Sequence, residues 1–179
     1  MSVEYFRHET DTWSANWKDS LEAADDHWGD INQFDGFLFL QQPNVNWGTD
    51  CGFGASPSTV DRGNLGDGPL GVLMITSWCD LAGEKFYLFI DTAESWYFTS
   101  GDDFVNGTAS ARGYLTHEFG HATNFGGAAA PQHFTSACDS SDLGNYQTMC
   151  SQPPFGDQDN AWRWTTLEIH DVHEFQSAY

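Results

Sequence analysis

The spacing of apolar residues near the start of the chain predicts a strand followed by a helix. Residues 3–7 have a short-strand pattern, and Asp11 or Thr12 can cap the helix that follows. Apolar side chains recur there on one stripe, which consists of Trp13, Trp17, Leu21, Ala24 and Trp28. Helical spacing favours packing of this stripe on a core, with a sugar-binding platform of tryptophans as the alternative.

Three further apolar runs predict the rest of a twisted sheet. Residues 36–41 have the pattern of a buried strand. Residues 72–78 and 85–91 indicate two neighbouring strands joined by a tight connection. The first half of the chain is therefore expected to be a sheet with one helix packed on it.

Two more helices are predicted after the sheet. One runs from about residue 109 to residue 125, with residues 106–108 as its capping segment in preference to an N-glycosylation site. A loop-rich stretch follows, and a last helix begins at Thr165 with a capping box. An N-terminal sheet with two helices, followed by a smaller part that ends in a helix, is expected to form an α+β fold.

The composition fits one globular domain and argues against two classes of partner. With 179 residues, of which 40% are hydrophobic, the chain can build one core, so residues 1–179 are expected to form a single domain. The net charge of −20 would repel a nucleic-acid backbone. No apolar run reaches the length of about 18 residues that a membrane span needs. We expect a monomer that binds neither nucleic acid nor membrane.

The cysteines indicate the compartment. The start of the chain lacks the basic and apolar regions of a signal peptide, so we expect either that a signal has been removed or that the protein is cytosolic. Four cysteines without C-x-x-C spacing favour two disulfides over a cysteine-based metal site. Because disulfides persist outside the cytosol, we expect a secreted protein. The spacing leaves all three connectivities open.

An H-E-x-x-H motif in the second predicted helix carries the chemistry. His117 and His121 are four residues apart, so their imidazoles project from one helix face and can bind a single Zn²⁺ ion. Glu118 lies beside them and can act as general base and acid toward a water molecule that zinc activates. Two solvated histidines are the structural alternative. The helix, the preceding sheet, and a later histidine and methionine favour zinc catalysis.

With these residues the chain resembles the metzincin zinc proteases, most closely their matrixin-like bacterial members. Their motif extends to H-E-x-x-H-x-x-G-x-x-H and is followed by a methionine turn. Asn124 stands at the glycine position and also tolerates the left-handed conformation that ends the helix. The resemblance implies a zincin domain whose N-terminal subdomain, about residues 1–125, holds the mixed sheet and two helices. The loop-rich C-terminal subdomain, about residues 126–179, holds the methionine turn and the terminal helix.

The resemblance also implies how substrate binds. Residues 68–73 look like the family's edge strand, and residues 86–96 look like its parallel strand with an acidic-tryptophan end. In that family the edge strand pairs with an extended polypeptide, so a polypeptide substrate is expected.

The third zinc ligand is where the chain departs from the family. Gly127 occupies the position of the third histidine, and the next histidine is His133, after a short insertion. We expect His133 to complete the site, with Asp139 or Asp142 as alternative ligands and a surface-loop histidine as its structural alternative. A gluzincin-like site would instead use a distant carboxylate such as Glu168.

The same resemblance assigns Met149 to the methionine turn, an apolar floor beneath the ligands, with an ordinary core methionine as the alternative. A disulfide between Cys138 and Cys150 would hold this segment near the third ligand, and Cys51–Cys79 would then be the other pair.

Calcium is a second metal to consider, because matrixins that this chain resembles bind Ca²⁺ near acidic loops. The candidate ligands are Asp61, Asp67, Asp91 and Glu94. No D-x-D-x-D-G ladder is present, so solvated acids are favoured over a calcium site. The histidines without an expected role in the site are His8, His27, His170 and His173.

The sequence therefore predicts a secreted zinc endopeptidase. Two functions of other classes stay open. One is a catalytically silent, secreted zinc-containing domain that binds protein or glycan. The other is an aromatic-rich carbohydrate-binding module.

Overall fold

The order of strands and helices in the first two thirds of the chain defines the fold. The computed structural model describes residues 2–8, 13–30, 38–45, 58–64, 74–78, 85–98 and 109–122. The elements in chain order are β1 (Ser2–His8), α1 (Ala15–Asp30), β2 (Leu38–Val45), β3 (Ser58–Gly63), β4 (Met74–Trp78) and β5 (Phe86–Asp91). They are followed by β6 (Trp96–Tyr97), β7 (Ala109–Ser110) and α2 (Ala111–Ala122).

A mixed sheet organises this part of the molecule. Its five strands lie in the order β2-β1-β3-β5-β4. β2, β1, β3 and β5 run parallel to one another, whereas β4 pairs antiparallel with β5 at one side of the sheet. α1 provides the long connection that the parallel neighbours β1 and β2 need. The predicted mixed sheet with two helices is confirmed, and so is the pairing of the strands predicted at residues 72–78 and 85–91, whereas the middle strand β3 was not predicted.

The first helix forms as its apolar stripe predicts, but it begins later than expected. Ser14 caps it, because the Ser14 Oγ accepts a 3.4 Å hydrogen bond from the backbone N–H of Trp17. The prediction of Asp11 or Thr12 as the cap is therefore wrong. The five stripe residues are all buried, with exposed fractions of 7% or less, although Trp13 lies before the helix and not on it as predicted. The interpretation of the stripe as a core face is confirmed.

The strands show how local sequence sets their ends and faces. β2 runs through Pro43 to Val45, beyond the predicted end at residue 41. The strand tolerates Pro43 because β2 lies at the side of the described sheet, where proline costs no ladder hydrogen bond. Its register with β1 shifts between Phe6 and His8, opposite this proline. In β5, Phe86, Leu88 and Ile90 alternate inward and are fully buried.

The core lies between the sheet and the two helices, which contact each other. Phe119 of α2 joins the layers, since its ring centroid lies 5.1 Å from that of Tyr5 and 6.0 Å from that of Phe86. Tyr5 belongs to β1 and Phe86 to β5, so one aromatic group connects two strands to α2. Within the described residues, no helix is long and apolar enough to cross a membrane.

Candidate active site

The helix that carries the H-E-x-x-H motif is fixed at its start by a serine cap. Ser110 Oγ accepts a 3.1 Å hydrogen bond from the backbone N–H of Gly113. The parallel pairing of Trp96 with Ala109 and of Tyr97 with Ser110 holds the segment that enters the helix. The helix begins at Ala111, so the predicted start at residue 109 was two residues early, and the capping segment predicted at residues 106–108 lies outside the described residues.

Burial on nearly every side distinguishes α2 from an ordinary surface helix. Leu115 and Phe119 are fully buried in the core, while His117 and Glu118 are only 5% and 7% exposed. His121 is half-buried. The alternative of two solvated histidines on a surface helix therefore does not describe this motif.

The two motif histidines lie together. The ring centroids of His117 and His121 are 4.8 Å apart, with the ring planes at 86°. Two imidazoles that bind one tetrahedral zinc ion at 2.0–2.1 Å have centroids roughly 5 Å apart. The donor type and spacing of this pair therefore fit two ligands of a zinc ion.

The environment of Glu118 raises its pKa. Burial raises its pKa from 4.5 to about 7, and hydrogen bonds from the side chain and backbone N–H of Thr76 oppose this rise. Thr76 lies in β4, 42 residues earlier in the chain, and its hydroxyl also donates a 3.2 Å hydrogen bond to the backbone oxygen of Glu118. A carboxyl group with a pKa near neutrality can both accept and return a proton at pH 7.

Tyr114, one helical turn before Glu118, adds a second buried polar group. Burial is the main cause that raises the pKa of its hydroxyl, and the charges of Glu118 and Glu94 raise the pKa further. The ring of Trp96 packs edge-on against Tyr114 at 5.8 Å between centroids. Tyr114 therefore stays a neutral phenol beside Glu118 throughout the physiological pH range.

Two contacts hold α2 against α1. The indole N–H of Trp28 donates a 2.7 Å hydrogen bond to the backbone oxygen of Thr116, next to His117. The guanidinium Nη2 of Arg112 lies 2.8 Å from Nε2 of His27. Because a guanidinium has only donors, His27 Nε2 is the acceptor and the ring is neutral in this contact. His27 thus has a structural role.

The acidic residues considered for calcium are not solvated. Asp61, Asp91 and Glu94 are 5%, 0% and 8% exposed, so the prediction of solvated acids is wrong for these three. Asp61 accepts hydrogen bonds from the hydroxyl of Tyr87 at 2.9 Å and from the backbone N–H of Arg62 at 2.7 Å. Asp91 accepts one from the backbone N–H of Ala93 at 2.8 Å. Asp67 lies outside the described residues, and calcium binding stays a prediction.

Several predicted residues lie outside the part of the chain that the structure describes. They are the third ligand His133, its alternatives Asp139, Asp142 and Glu168, the helix-ending Asn124, Met149, and the cysteines Cys51, Cys79, Cys138 and Cys150. Among the described residues, no three His, Cys, Asp or Glu side chains form a group that could hold a metal ion. Of the predicted metal ligands, the structure thus brings together His117 and His121, with Glu118 between them in the chain.

Sequence reasoning missed Thr76, Trp28 and Tyr114 as neighbours of the motif. Thr76 gave no local signal, because its contact with Glu118 depends on how β4 pairs with β5 beside α2. Trp28 was predicted as a core residue without its hydrogen bond to α2. Tyr114 could have been found from its position four residues before Glu118, on the same helix face.

Comparison with known protein families and with curated protein sequences gives no match. The chemistry of the site therefore carries the functional argument.

Proposed function

We propose that this chain is a secreted, zinc-dependent endopeptidase with a metzincin-like catalytic domain. The observation that carries the proposal is the arrangement of His117, Glu118 and His121 on the buried helix α2. Two adjacent imidazoles are paired with a carboxyl group whose pKa is raised to about 7. A mixed sheet with two helices and an antiparallel strand beside the motif helix is compatible with this class of domain.

His117 and His121 would hold the metal together with His133, and the fourth position would remain for water or substrate. When bound, zinc would lower the pKa of a water molecule and polarise the carbonyl of the scissile peptide bond. Glu118 would take a proton from the attacking water and return it to the leaving amine. Because Glu118 is buried, few water molecules compete for this proton.

The rest of the proposed domain follows from the resemblance to metzincins. An extended polypeptide would bind along the edge strand predicted at residues 68–73, which lie outside the described residues, and Met149 would form the floor of the site. The disulfides Cys51–Cys79 and Cys138–Cys150 would stabilise the chain outside the cell, where it would act as a monomer.

Zinc content and casein hydrolysis test the proposal together. Wild type should bind one zinc ion and hydrolyse casein, and a chelator should abolish hydrolysis until zinc is added back. His121→Ala should lose both zinc and hydrolysis, whereas His8→Ala, a histidine substitution in β1, should lose neither. A chelator-resistant hydrolysis, or glycan binding that survives the chelator, would count against the protease.

The third ligand is tested separately. His133→Ala should release zinc and abolish hydrolysis if His133 completes the site. Full zinc occupancy and activity in His133→Ala would transfer the assignment to Asp139, Asp142 or Glu168, and the same two measurements on their alanine variants would identify which.

A further inference from the structure

Thr76 of β4 hydrogen-bonds the motif helix α2. Thr76 contacts both the backbone and the carboxyl group of Glu118. Its hydroxyl donates a 3.2 Å hydrogen bond to the backbone oxygen of Glu118. Its side chain and backbone N–H also hydrogen-bond the Glu118 carboxyl group. β4 is the antiparallel strand at the side of the described sheet, and it packs directly against α2.

The hydroxyl of Thr76 can donate to either of two acceptors on Glu118. A hydroxyl has one hydrogen, so at any moment it donates either to the backbone oxygen or to the carboxylate of Glu118. The backbone N–H of Thr76 is a separate donor and is fixed in position by the strand. Thr76 therefore presents two donors to Glu118.

We propose that Thr76 is the positioning residue for Glu118, holding the carboxyl group in the orientation that proton transfer needs. The inference rests on the proposed function, because it concerns the general base of that site. A glutamate side chain has three rotatable bonds, and a proton acceptor must lie within hydrogen-bond reach of the proton that it takes. A misplacement of about 1 Å can reduce the rate about 100-fold.

A merely structural role would give a different result. If Thr76 only joined β4 to α2, its loss would lower stability and leave turnover per folded molecule unchanged. If Thr76 positions Glu118, its loss should lower kcat, while KM and zinc content stay near the wild-type values. This difference separates the two roles.

The test compares wild type with Thr76→Val, Thr76→Ser and the matched control Thr59→Val, each as the zinc-loaded protein. Thr59 is a buried threonine of β3, which β5 separates from β4. Thr76→Val should lower kcat about 10- to 100-fold with KM within about twofold, since the backbone donor remains. Thr76→Ser restores the hydroxyl and should recover kcat to within about threefold, and Thr59→Val should not change kcat. Thr76→Ala replaces Thr76→Val if the valine variant does not fold.

Equal kcat in wild type and a folded Thr76→Val would overturn the positioning role while the protease function stands. Absence of hydrolysis in zinc-loaded wild type would overturn the protease function and the positioning role with it.

A second readout needs neither zinc nor turnover. In the metal-free protein, the amide proton resonance of Thr76 should move upfield in Glu118→Ala, which removes the acceptor, and move less in Glu118→Gln, which keeps one. An unchanged resonance in Glu118→Ala would show that the hydrogen bond to the carboxyl group does not form, and would overturn the inference.

Discussion

Trp28 and Thr116 are joined by a 2.7 Å hydrogen bond from the indole nitrogen to a backbone oxygen, across 88 residues of sequence. Trp28 is 1% exposed and Thr116 is fully buried, so the bond lies in the core. Thr116 directly precedes His117. The contact therefore fixes α2, next to the first motif histidine, against α1.

We predict that Trp28→Phe lowers the free energy of unfolding more than Trp17→Phe does. Both substitutions shrink a buried indole, but the indole nitrogen of Trp17 makes no hydrogen bond within the described residues. The lost hydrogen bond should make the difference about 1 kcal/mol. Urea denaturation with unchanged m-values measures it. Equal losses in the two variants would contradict this prediction.

The buried carboxyl group of Asp25 should make stability depend on pH. Asp25 accepts a 2.8 Å hydrogen bond from the hydroxyl of Tyr5. Burial raises its pKa from 3.8 to about 7; the Tyr5 hydrogen bond opposes the rise, and the charges of Asp26 and Glu22 add to it. The folded state holds the proton of Asp25 more tightly than the unfolded state does. Protonated Asp25 therefore contributes stability that is fully present below pH 4 and is lost as the pH rises through 7.

Asp25→Asn should therefore gain stability relative to wild type as the pH rises. The shift from 3.8 to about 7 corresponds to a change on the order of 4 kcal/mol between pH 4 and pH 9. Urea denaturation of both proteins across this range measures the difference, since all other titrating groups are shared. A stability difference that is the same at pH 4 and pH 9 would contradict the assignment of the raised pKa to Asp25.

Local patterns predicted the elements well where one face is apolar. The stripe from Trp17 to Trp28 identified α1, because four buried side chains at helical spacing leave little choice of structure. The cap was missed because Asp11, Thr12 and Ser14 are all good capping residues, and only the backbone at the helix start selects one of them.

Contacts between distant residues could not be predicted. Asp61 and Asp91 carry charges that sequence reasoning assigns to solvent, yet strand pairing buries both. The partners of Glu118 and Asp25, which are Thr76 and Tyr5, lie on strands whose order in the sheet no local pattern specifies. The histidine pair was predictable because residues four apart on a helix share a face regardless of the fold.

We expect Arg62 to stabilise the start of α1 through the indole rings. Its guanidinium carbon lies 5.4 Å from the ring centroid of Trp13 and 5.0 Å from that of Trp17. A double-mutant cycle with Arg62→Met and Trp17→Leu should give a coupling energy of about 0.5–1 kcal/mol. Arg62→Lys, which keeps the charge, should lose less stability than Arg62→Met. Additive effects of the two substitutions would show that the stacked geometry carries no energy.

The central claim is that Glu118 is the general base of a zinc peptidase. Glu118→Gln replaces the carboxylate that would take the proton with an amide that cannot. The variant keeps both neighbouring histidines, so it should bind zinc as wild type does.

The most direct measurement is the casein turnover number of zinc-loaded Glu118→Gln, with zinc content determined on the same sample. We predict one zinc ion per chain, as in wild type, and turnover reduced about 10²- to 10⁴-fold. Turnover equal to that of wild type in the folded, zinc-loaded variant would contradict the assignment.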